Sequence, residues 1–361
     1  MSQLVKGLLT IGIPTYNGGD NLADLFSSIK NLGLSENEYE ILVVDNCSND
    51  NTDTVIEQFK AQVSNLNYYK NGNNIGRIEN WNKVIELTRG DYLIIMNVND
   101  RFLNFDVKKH IQYLEHHPEI SMVLTDIKFE GHIYPNWLES GVINLEAYLK
   151  KTFLDPEYLE FHSVGVLHQH IFRTKLIIDH NIRFDVQIPR TTDRVFTAEI
   201  VKSGGGMFYY SPQIMVSWHI NKNRYHYNVH IKPADFNFSE LWINEYKANV
   251  QLANLGNISY KDVLKSQLIL ASFFMQVKQL RALKNKIFKA QTPTKGMEVP
   301  TASIFYAYLK TMAEFNEVSI NYYAVKAIAL WRTVSWYMRS INLYKKNKRS
   351  LKDIIKLVEL V

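Results

Sequence analysis

Short apolar runs alternate with segments of helical periodicity through the first hundred residues, and this alternation restricts the folds open to the chain. The pattern predicts strands at 8–13, 41–44, 68–69 and 92–96, with helices at 21–32, 52–62 and 78–87 between them. A run that is apolar throughout, such as Ile41–Val44, is typical of a strand buried on both faces of a parallel sheet. Repeated strand, loop and helix predict an α/β fold in which helices flank a mostly parallel, Rossmann-like central sheet.

The pattern changes in the rest of the chain. Weaker signals predict strands at 121–126, 165–172, 208–210 and 214–219 and a helix at 194–202. From about residue 225 onward only helical periodicity remains. We therefore expect a sheet domain at 1–228, with halves at about 1–100 and 101–228, and a C-terminal α-helical domain at 229–361.

Composition excludes several classes of protein. Of the 361 residues, 46% are hydrophobic and 21% are charged, which is typical of globular chains and argues against disorder. The only cysteine, Cys47, excludes an internal disulfide framework and a zinc site built from cysteines. No apolar run approaches the roughly 18 residues of a spanning helix, and the N-terminal run is too short for a signal peptide. We therefore expect a cytoplasmic protein.

The net charge of +5 is concentrated at the C-terminus, where residues 331–361 carry eight basic and two acidic side chains. Within 331–349 the aromatic residues Trp331, Trp336 and Tyr337 interleave with these cations. Such a segment suits an anionic membrane surface, and we expect contact there, although a helix packed on the body with solvated charges gives the same pattern. No nucleic-acid-binding motif accompanies the block, so we expect no nucleic-acid partner.

Polar residues cluster where three predicted strands end. These clusters are Pro14–Asn17, Asp45–Asp50 and Asn97–Asp100. Any one of them alone is more simply explained as a plain turn. Three of them at one edge of the sheet favour a binding site, because ligands bind open parallel sheets at the carboxyl ends of the strands. Carboxylates and amides there suit a ribose, a base edge or a cation that holds phosphates. The chain has neither a P-loop nor a dinucleotide-binding fingerprint.

Four segments carry a family resemblance: IGIPTYNGGDNLADLFSSI, EILVVDNCSNDNT, NNIGRIENWNKVIELTRGDYLIIMNVNDRF and PRTTDRVFTAEIVKSGG. In this order and at this spacing they resemble the successive motifs of family 2 glycosyltransferases with the GT-A fold, over about residues 7–220. The resemblance implies an inverting transfer from a nucleotide sugar. It makes 1–100 the nucleotide-binding half and 101–228 the acceptor half.

The resemblance also implies which residues bind the nucleotide sugar. These are Pro14, Thr15, Tyr16, Asn17, Asp45, Arg77, Asn80 and Asn99. Asn46 stands where the family has a second aspartate, which is a departure from its pattern. A solvated position at the start of a helix also accounts for Arg77.

A divalent metal, Mn²⁺ or Mg²⁺, is implied at the end of the fourth strand. The family typically has Asp-x-Asp or three aspartates there, whereas Asn97 and Asn99 leave only Asp100 charged. His219 matches a late ligand near the diphosphate, although a histidine at a strand end is commonly only hydrogen-bonded. We expect Asp100 and His219 to be metal ligands, with weaker binding than in a relative with three carboxylates.

The catalytic position implied by the resemblance is Asp193, where Thr-Asp replaces the usual Glu-Asp. Inverting transfer needs one base that takes a proton from the acceptor hydroxyl, so one carboxylate suffices. A role as the cap of the helix at 194–202 is compatible with catalysis. Acceptor contacts are implied for His168, His170 and Arg190, with the two histidines on the same side of a strand.

The leading hypothesis is therefore a glycosyltransferase that moves a sugar from a UDP-, dTDP- or GDP-linked donor to a glycan or lipid-linked acceptor. Bacterial surface polysaccharide synthesis at the inner face of the cell membrane fits the basic tail. Two alternatives stay open. One is a catalytically weak GT-A module that binds sugar nucleotides, favoured by Asn46, Asn97 and Asn99. The other is a nucleotidyltransferase, whose usual glycine-rich, basic first loop is missing here.

Overall fold

The computed structural model describes residues 4–129, 132–134, 138–154, 167–189, 191–219 and 238–269, with the single positions 272, 320, 325, 326 and 329. The chain divides into two compact units: one is Met1–Leu149, His162–Phe236 and Ile243–Asn257, and the other is Lys150–Phe161, Asn237–Trp242 and Ile258–Val361. The predicted domain boundary near residue 228 and the basic aromatic segment 331–349 lie outside the described residues.

The first unit alternates strands and helices. Its strands are β1 (Val5–Thr15), β2 (Tyr39–Asp45), β3 (Leu66–Lys70), β4 (Gly90–Ile95), β5 (Arg101–Phe102), β6 (Met122–Phe129), β7 (His132–Tyr134), β8 (Gly141–Asn144), β9 (His170–Arg173) and β10 (Met207–Trp218). The helices of the described residues are α1 (Gly19–Lys30), α2 (Thr52–Lys60), α3 (Arg77–Leu87), α4 (Val107–His116), α5 (Leu145–Leu154), α6 (Thr174–Asp179), α7 (Thr192–Ser203) and α8 (Phe238–Leu255). Helices α5 and α8 each run across a boundary between the units.

All ten strands belong to one sheet, in the order β3-β2-β1-β4-β9-β6-β10-β5, with β7 paired to β6 and β8 paired to β10. The half formed by β3, β2, β1 and β4 is parallel throughout. Beyond it, β6 and β10 are parallel, while β5, β7, β8 and β9 pair antiparallel to their neighbours. The α/β class expected from the sequence is confirmed.

Burial follows the sequence pattern. Every residue of β2 is buried, as expected of a strand covered on both faces. Helix α1 turns its apolar stripe, including Leu22, Leu25 and Phe26, into the core. On the other face α3 packs tightly on β1, since a Cβ atom at Gly12 would lie 2.3 Å from Val84 Cγ1. Only glycine allows this approach.

Three predicted strands are wrong in detail. Leu167–Gln169 form a single turn of 3-10 helix and β9 begins only at His170, so His168 and His170 do not share one face of a strand. The two strands predicted at 208–210 and 214–219 are one strand, β10, whose pairing with β6 shifts register between Ser211 and Ile214. The register shift spans Pro212, which has no N–H to donate to a ladder.

In the second unit, residues 260–269 are helical and bury Val263, Leu264, Leu268 and Ile269. The helical periodicity of this region is thereby confirmed over the described residues. No helix within the described ranges combines the length and the apolar character needed to cross a membrane.

Candidate active site

The carboxyl ends of β1, β2 and β4 lie side by side at one edge of the sheet. Thr15, at the end of β1, pairs in register with Asp45 at the end of β2, and Gly12 pairs with Ile95 at the end of β4. The polar loops after these strands therefore meet at one edge, the position at which open α/β sheets bind ligands.

The loop after β1 is tied to the loop after β2. The backbone N–H of Asn17 donates to Ser48 Oγ at 2.7 Å, and Asn17 Oδ1 accepts from the N–H of Asn49 at 2.9 Å. Asn17 has a φ of 51°, in the left-handed region that asparagine tolerates. Pro14 and Thr15 are buried, whereas 45% of the surface of Tyr16 is exposed. The ring of Tyr16 is therefore accessible to a planar ligand.

Asp45 is fully buried, and its carboxylate is engaged within the chain. Oδ1 accepts from the N–H of Ser48 at 3.0 Å and from the Ser48 hydroxyl, and Oδ2 accepts from the Tyr68 hydroxyl at 2.9 Å. Lys70 Nζ lies 3.8 Å from Oδ2. Burial and the nearby carboxylates raise the pKa of Tyr68, so its hydroxyl remains a donor. Asp45 thus holds β3 and the loop after β2 in place.

Asn80 is likewise buried and structural. Its Nδ2 donates to the carbonyl of Val44 at 3.0 Å, and its Oδ1 accepts from Asn71 at 2.8 Å. Asn46, the departure from the family pattern, belongs to the same cluster: it donates to Asn74 at 2.7 Å and accepts from the N–H of Ile75 at 2.9 Å. These amides fix the start of α3 beside the end of β2. Their pairing joins loops about 25–36 residues apart and has no local signal in the sequence.

Arg77 opens α3, and its guanidinium lies over the ring of Trp81, 4.9 Å from the centroid. The same guanidinium donates a hydrogen bond to the carbonyl of Pro189, in the segment that leads to α7. Arg77 is exposed, yet it links the helix predicted to bind the nucleotide with the segment that precedes Asp193.

A second contact secures the same two segments. Asn82 Oδ1 accepts from the N–H of Phe184 at 2.8 Å, and Asn82 Nδ2 donates to the Phe184 carbonyl at 3.1 Å. The Phe184 ring contacts Trp81 edge-on at 5.1 Å and stacks on Phe196 of α7 at 3.9 Å. Helix α3 and helix α7 are therefore connected through one residue.

Asp193 lies in the first turn of α7, which begins at Thr192 with Thr191 as its N-cap. Asp193 is therefore inside the helix, two positions after the N-cap, and is not itself the cap. Its Oδ1 accepts from the N–H of Arg194 at 3.0 Å. Burial raises the pKa of Asp193 above its ordinary value, while the positive charges of Arg194 and Arg77 act in the opposite direction. A carboxyl group with a raised pKa is a stronger base when ionised.

Asp100 follows β4 and is completely buried. Its Oδ1 accepts from the backbone N–H of His219 at 3.1 Å, and its Oδ2 accepts from Asn97 Nδ2 at 3.1 Å. His168 Nδ1 lies 3.3 Å from the same Oδ2 and 3.1 Å from Asn97 Nδ2. Burial raises the pKa of Asp100 to about 7 and lowers that of His168 to about 3, so the imidazole is neutral.

The other predicted metal ligand, His219, is exposed, with Nε2 2.9 Å from Ser217 Oγ. Asp100 and His219 are thus adjacent through a backbone contact. Within the described ranges, no group of three or more histidine, cysteine, aspartate or glutamate side chains converges on a point that could hold a metal ion.

Three buried polar atoms at this edge have no hydrogen-bond partner among the residues that the structure describes. They are Thr15 Oγ1, Asn99 Oδ1 and His168 Nε2. Thr15 and Val98 are close neighbours, because a Cβ atom at Gly18 would touch both, so the ends of β1 and β4 share this region. Unpartnered buried polar atoms are costly in a folded protein, and a bound ligand would satisfy them.

The two histidines predicted to contact the acceptor are not at the surface. His168 and His170 are both buried, and the His170 ring stacks on Phe172 with Nδ1 3.2 Å from the carbonyl of Leu167. His168 instead contacts Asp100, the predicted metal ligand. Arg190 lies outside the described residues.

The sequence is similar to known glycosyltransferases. Residues 10–179 match the family described as Glycosyl transferase family 2. An uncharacterized glycosyltransferase of Mycoplasma pneumoniae is 27% identical over 190 residues, 50% of this chain and 64% of that protein. The poly(ribitol-phosphate) beta-N-acetylglucosaminyltransferase TarP of Staphylococcus aureus is 22% identical over 262 residues, 72% of each chain. The matches span just under two thirds of the first relatives' own length, 64–66%.

Solved structures resemble the fold. S. aureus TarS 1–349 in complex with UDP-GlcNAc has a TM-score of 0.57 at 16% identity, over 95% of this chain and 93% of that one. The mannosyltransferase PcManGT of Pyrobaculum calidifontis, in complex with GDP-Man and Mn²⁺, has a TM-score of 0.51 at 14% identity, over 90% and 86%. At these identities the likeness concerns architecture alone, and it confirms the GT-A fold expected from the sequence.

Proposed function

The chain carries a glycosyltransferase family 2 domain at residues 10–179, and from this premise we propose that it is an inverting glycosyltransferase with Asp193 as general base. It transfers a sugar from a UDP-, dTDP- or GDP-linked donor to a hydroxyl group of a glycan or lipid-linked acceptor. The neighbouring structures are complexes with UDP-GlcNAc and GDP-Man, which supports a nucleotide sugar as the donor.

One observation carries the proposal: the guanidinium of Arg77 contacts the Pro189 carbonyl and its charge acts on Asp193. The proposed donor helix therefore contacts the segment that leads to the proposed base, although 116 residues separate Arg77 from Asp193 along the chain. A single base beside the donor is what inverting transfer requires, since the acceptor must attack from the face opposite the leaving group.

The proposed reaction exchanges one bond for another at the anomeric carbon. The acceptor hydroxyl gives its proton to the ionised carboxylate of Asp193, and its oxygen forms the new bond to the anomeric carbon. The bond from that carbon to the diphosphate oxygen breaks, and its electron pair leaves with the nucleoside diphosphate. The raised pKa of Asp193 favours acceptance of the proton near neutral pH.

Donor binding is assigned to the sheet edge. Exposed Tyr16 suits stacking on the base, and exposed Arg77 suits the charge of the diphosphate. Thr15, Asn99 and His168 offer unpartnered buried atoms to the hydroxyls of the donor. Asp45 and Asn80 act indirectly, because their polar atoms already hold the loops in place.

A divalent metal, Mn²⁺ or Mg²⁺ at Asp100 and His219, is the group that the resemblance implies, and the Mn²⁺ of the mannosyltransferase supports it. The donor set of this chain does not fit that ion. Its one carboxylate is buried and accepts hydrogen bonds from Asn97 Nδ2 and from the His219 N–H, and His168 Nδ1 lies 3.3 Å from the oxygen that Asn97 contacts. No step of the proposed reaction is therefore assigned to a metal.

The acceptor is proposed to be a polymer or lipid-linked glycan of a bacterial surface. Support comes from the relatives TarS and TarP of S. aureus, whose names specify poly(ribitol-phosphate) as the polymer they modify. The basic aromatic segment 331–349 suits a cytoplasmic protein that works at the inner face of the membrane.

A panel of UDP-GlcNAc, dTDP-glucose and GDP-mannose tests the donor class by thermal shift, because a ligand that binds only the folded state raises its stability. The proposal predicts that one nucleotide class raises the melting temperature and is slowly hydrolysed to the nucleoside diphosphate. Binding without hydrolysis or transfer would favour the catalytically weak module instead. No shift with any donor would contradict both.

A further inference from the structure

We infer that this chain binds the diphosphate of its donor without a divalent cation, because hydrogen-bond donors of the chain occupy the carboxylate that would hold the ion. The inference rests on the proposed function, since it concerns how the same site holds a nucleotide sugar. It is carried by the contacts of Asn97, Asp100 and His168.

Groups of the chain already lie against both oxygens of the Asp100 carboxylate. An ionised carboxylate has about four acceptor positions, two on each oxygen. Oδ2 faces both Asn97 Nδ2 at 3.1 Å and His168 Nδ1 at 3.3 Å, and Oδ1 accepts from the His219 N–H at 3.1 Å. The Asp100 side chain is only 1% exposed. A cation that approaches Oδ2 has to displace Asn97 or His168 from a buried cluster.

The groups that face Asp100 also have the wrong charge for a metal site. Mg²⁺ and Mn²⁺ select anionic oxygen ligands. Asn97 instead presents the hydrogens of its amide to Asp100, and these repel a cation. An aspartate at position 97 would put two carboxylates about 3 Å apart, an arrangement that a cation or a shared proton has to stabilise. The neutral amide of Asn97 removes that need.

Without a metal ion, the negative charge of the diphosphate needs side chains of the protein as partners. His219 is exposed, and its backbone N–H is anchored on Asp100, so its imidazole stands at the edge of the cluster. Arg77 is exposed at the start of α3, and hydrogen bonds of Asn46 to Asn74 and Ile75 tie the loop after β2 to the residues just before this helix. We assign the diphosphate to these side chains, which supply hydrogen bonds and, for Arg77, permanent positive charge.

The experiment compares wild type with Asn97→Asp, which restores a second carboxylate. The matched control is Gln112→Glu, which adds the same charge on the exposed face of α4. Mn²⁺ binding is followed by electron paramagnetic resonance. Binding of UDP, dTDP and GDP is measured by calorimetry in Mn²⁺ and in EDTA.

The expected result is that one nucleotide binds wild type and Gln112→Glu equally well in Mn²⁺ and EDTA, with no Mn²⁺ bound by either protein alone. Asn97→Asp should bind Mn²⁺ and should hold the nucleotide about tenfold more tightly in Mn²⁺ than in EDTA. His219→Ala should weaken nucleotide binding to the otherwise wild-type chain by the same factor in both buffers.

Nucleotide binding by wild type that disappears in EDTA would overturn the inference and leave the proposed function standing. Nucleotide binding absent in both buffers would overturn the proposed function, and the inference with it. Mn²⁺ bound equally by wild type and Asn97→Asp would also overturn the inference, whatever the nucleotide does.

Discussion

Asn82 and Phe184 are joined by two hydrogen bonds that use the whole side-chain amide of one and both backbone groups of the other, at 2.8 and 3.1 Å. Asn82 belongs to the helix proposed to hold the donor, and Phe184 precedes the helix that carries the proposed base. This contact therefore helps to set the position of the proposed base relative to the helix proposed to hold the donor.

Asn82→Ala tests this connection. The substitution leaves the N–H and the carbonyl of Phe184 without partners, so we expect a loss of about 1–3 kcal/mol in the free energy of unfolding. Turnover should fall by a larger factor than nucleotide affinity, because the base loses its alignment. Denaturant melts and steady-state kinetics measure both effects. Glu86→Gln, an exposed change on the same helix, is the control and should alter neither.

Arg77→Gln should move the acidic limb of the pH–rate profile to higher pH. The positive charge of Arg77 favours the ionised form of Asp193, so its removal raises the pKa of Asp193 further. Because only the ionised carboxylate accepts a proton, activity in mildly acidic buffer then falls more than activity in alkaline buffer. Lys83→Gln removes a cation from the same helix beside Tyr69 and should leave the limb in place. If the acidic limb of the pH–rate profile does not move in Arg77→Gln, the charge of Arg77 does not influence the ionisation of Asp193.

Asp45→Asn should destabilise the protein more than Tyr68→Phe does. Asp45 accepts from the Ser48 backbone, the Ser48 hydroxyl and Tyr68, and bonds to a charged group contribute about 1.5–3 kcal/mol each. Tyr68→Phe removes one of these bonds. Thermal melts of both variants without ligand measure the difference. Equal melting temperatures for Asp45→Asn and wild type would show that these hydrogen bonds do not stabilise the fold, and would favour a direct contact of Asp45 with the nucleobase of the donor.

Gly12→Ala should cost about 1–3 kcal/mol through overpacking between β1 and α3. The added Cβ would meet Val84 Cγ1 at 2.3 Å. A second change, Val84→Ala, removes that methyl group, so Gly12→Ala should cost much less in that background. Gly72→Ala is the control, because a Cβ there meets nothing within 4 Å. Equal costs in both backgrounds, measured by denaturant unfolding, would refute the contact.

The parallel half of the sheet could be predicted because β1, β2 and β4 are buried on both faces, which forces apolar runs into the sequence. The turn at Leu167–Gln169 could not, since the sequence Leu-His-Gln-His alternates like a strand. Burial of both histidines depends on strands far away in the chain, and a single sequence carries no trace of it.

The candidate site was predicted as a set of positions and not as a set of contacts. The family pattern identifies Asp100 and Asp193, but it interprets Asn97 only as a missing ligand. Its contact with Asp100 and His168 appears once β4 and the turn before β9 lie together, because His168 is 71 residues away from Asn97. The contact between Asn82 and Phe184, which are 102 residues apart, could not be predicted for the same reason.

The most direct test of the account separates binding from chemistry at Asp193. Asp193→Asn keeps the shape of the side chain and removes the base, while Asp179→Asn makes the same change at an exposed salt bridge of α6. With the donor found by the thermal-shift panel, the account predicts that Asp193→Asn binds the nucleotide diphosphate as wild type does and loses about 10²–10⁴-fold in turnover, whereas Asp179→Asn keeps both. Turnover retained in Asp193→Asn, with nucleotide affinity intact, would contradict the assignment of the base.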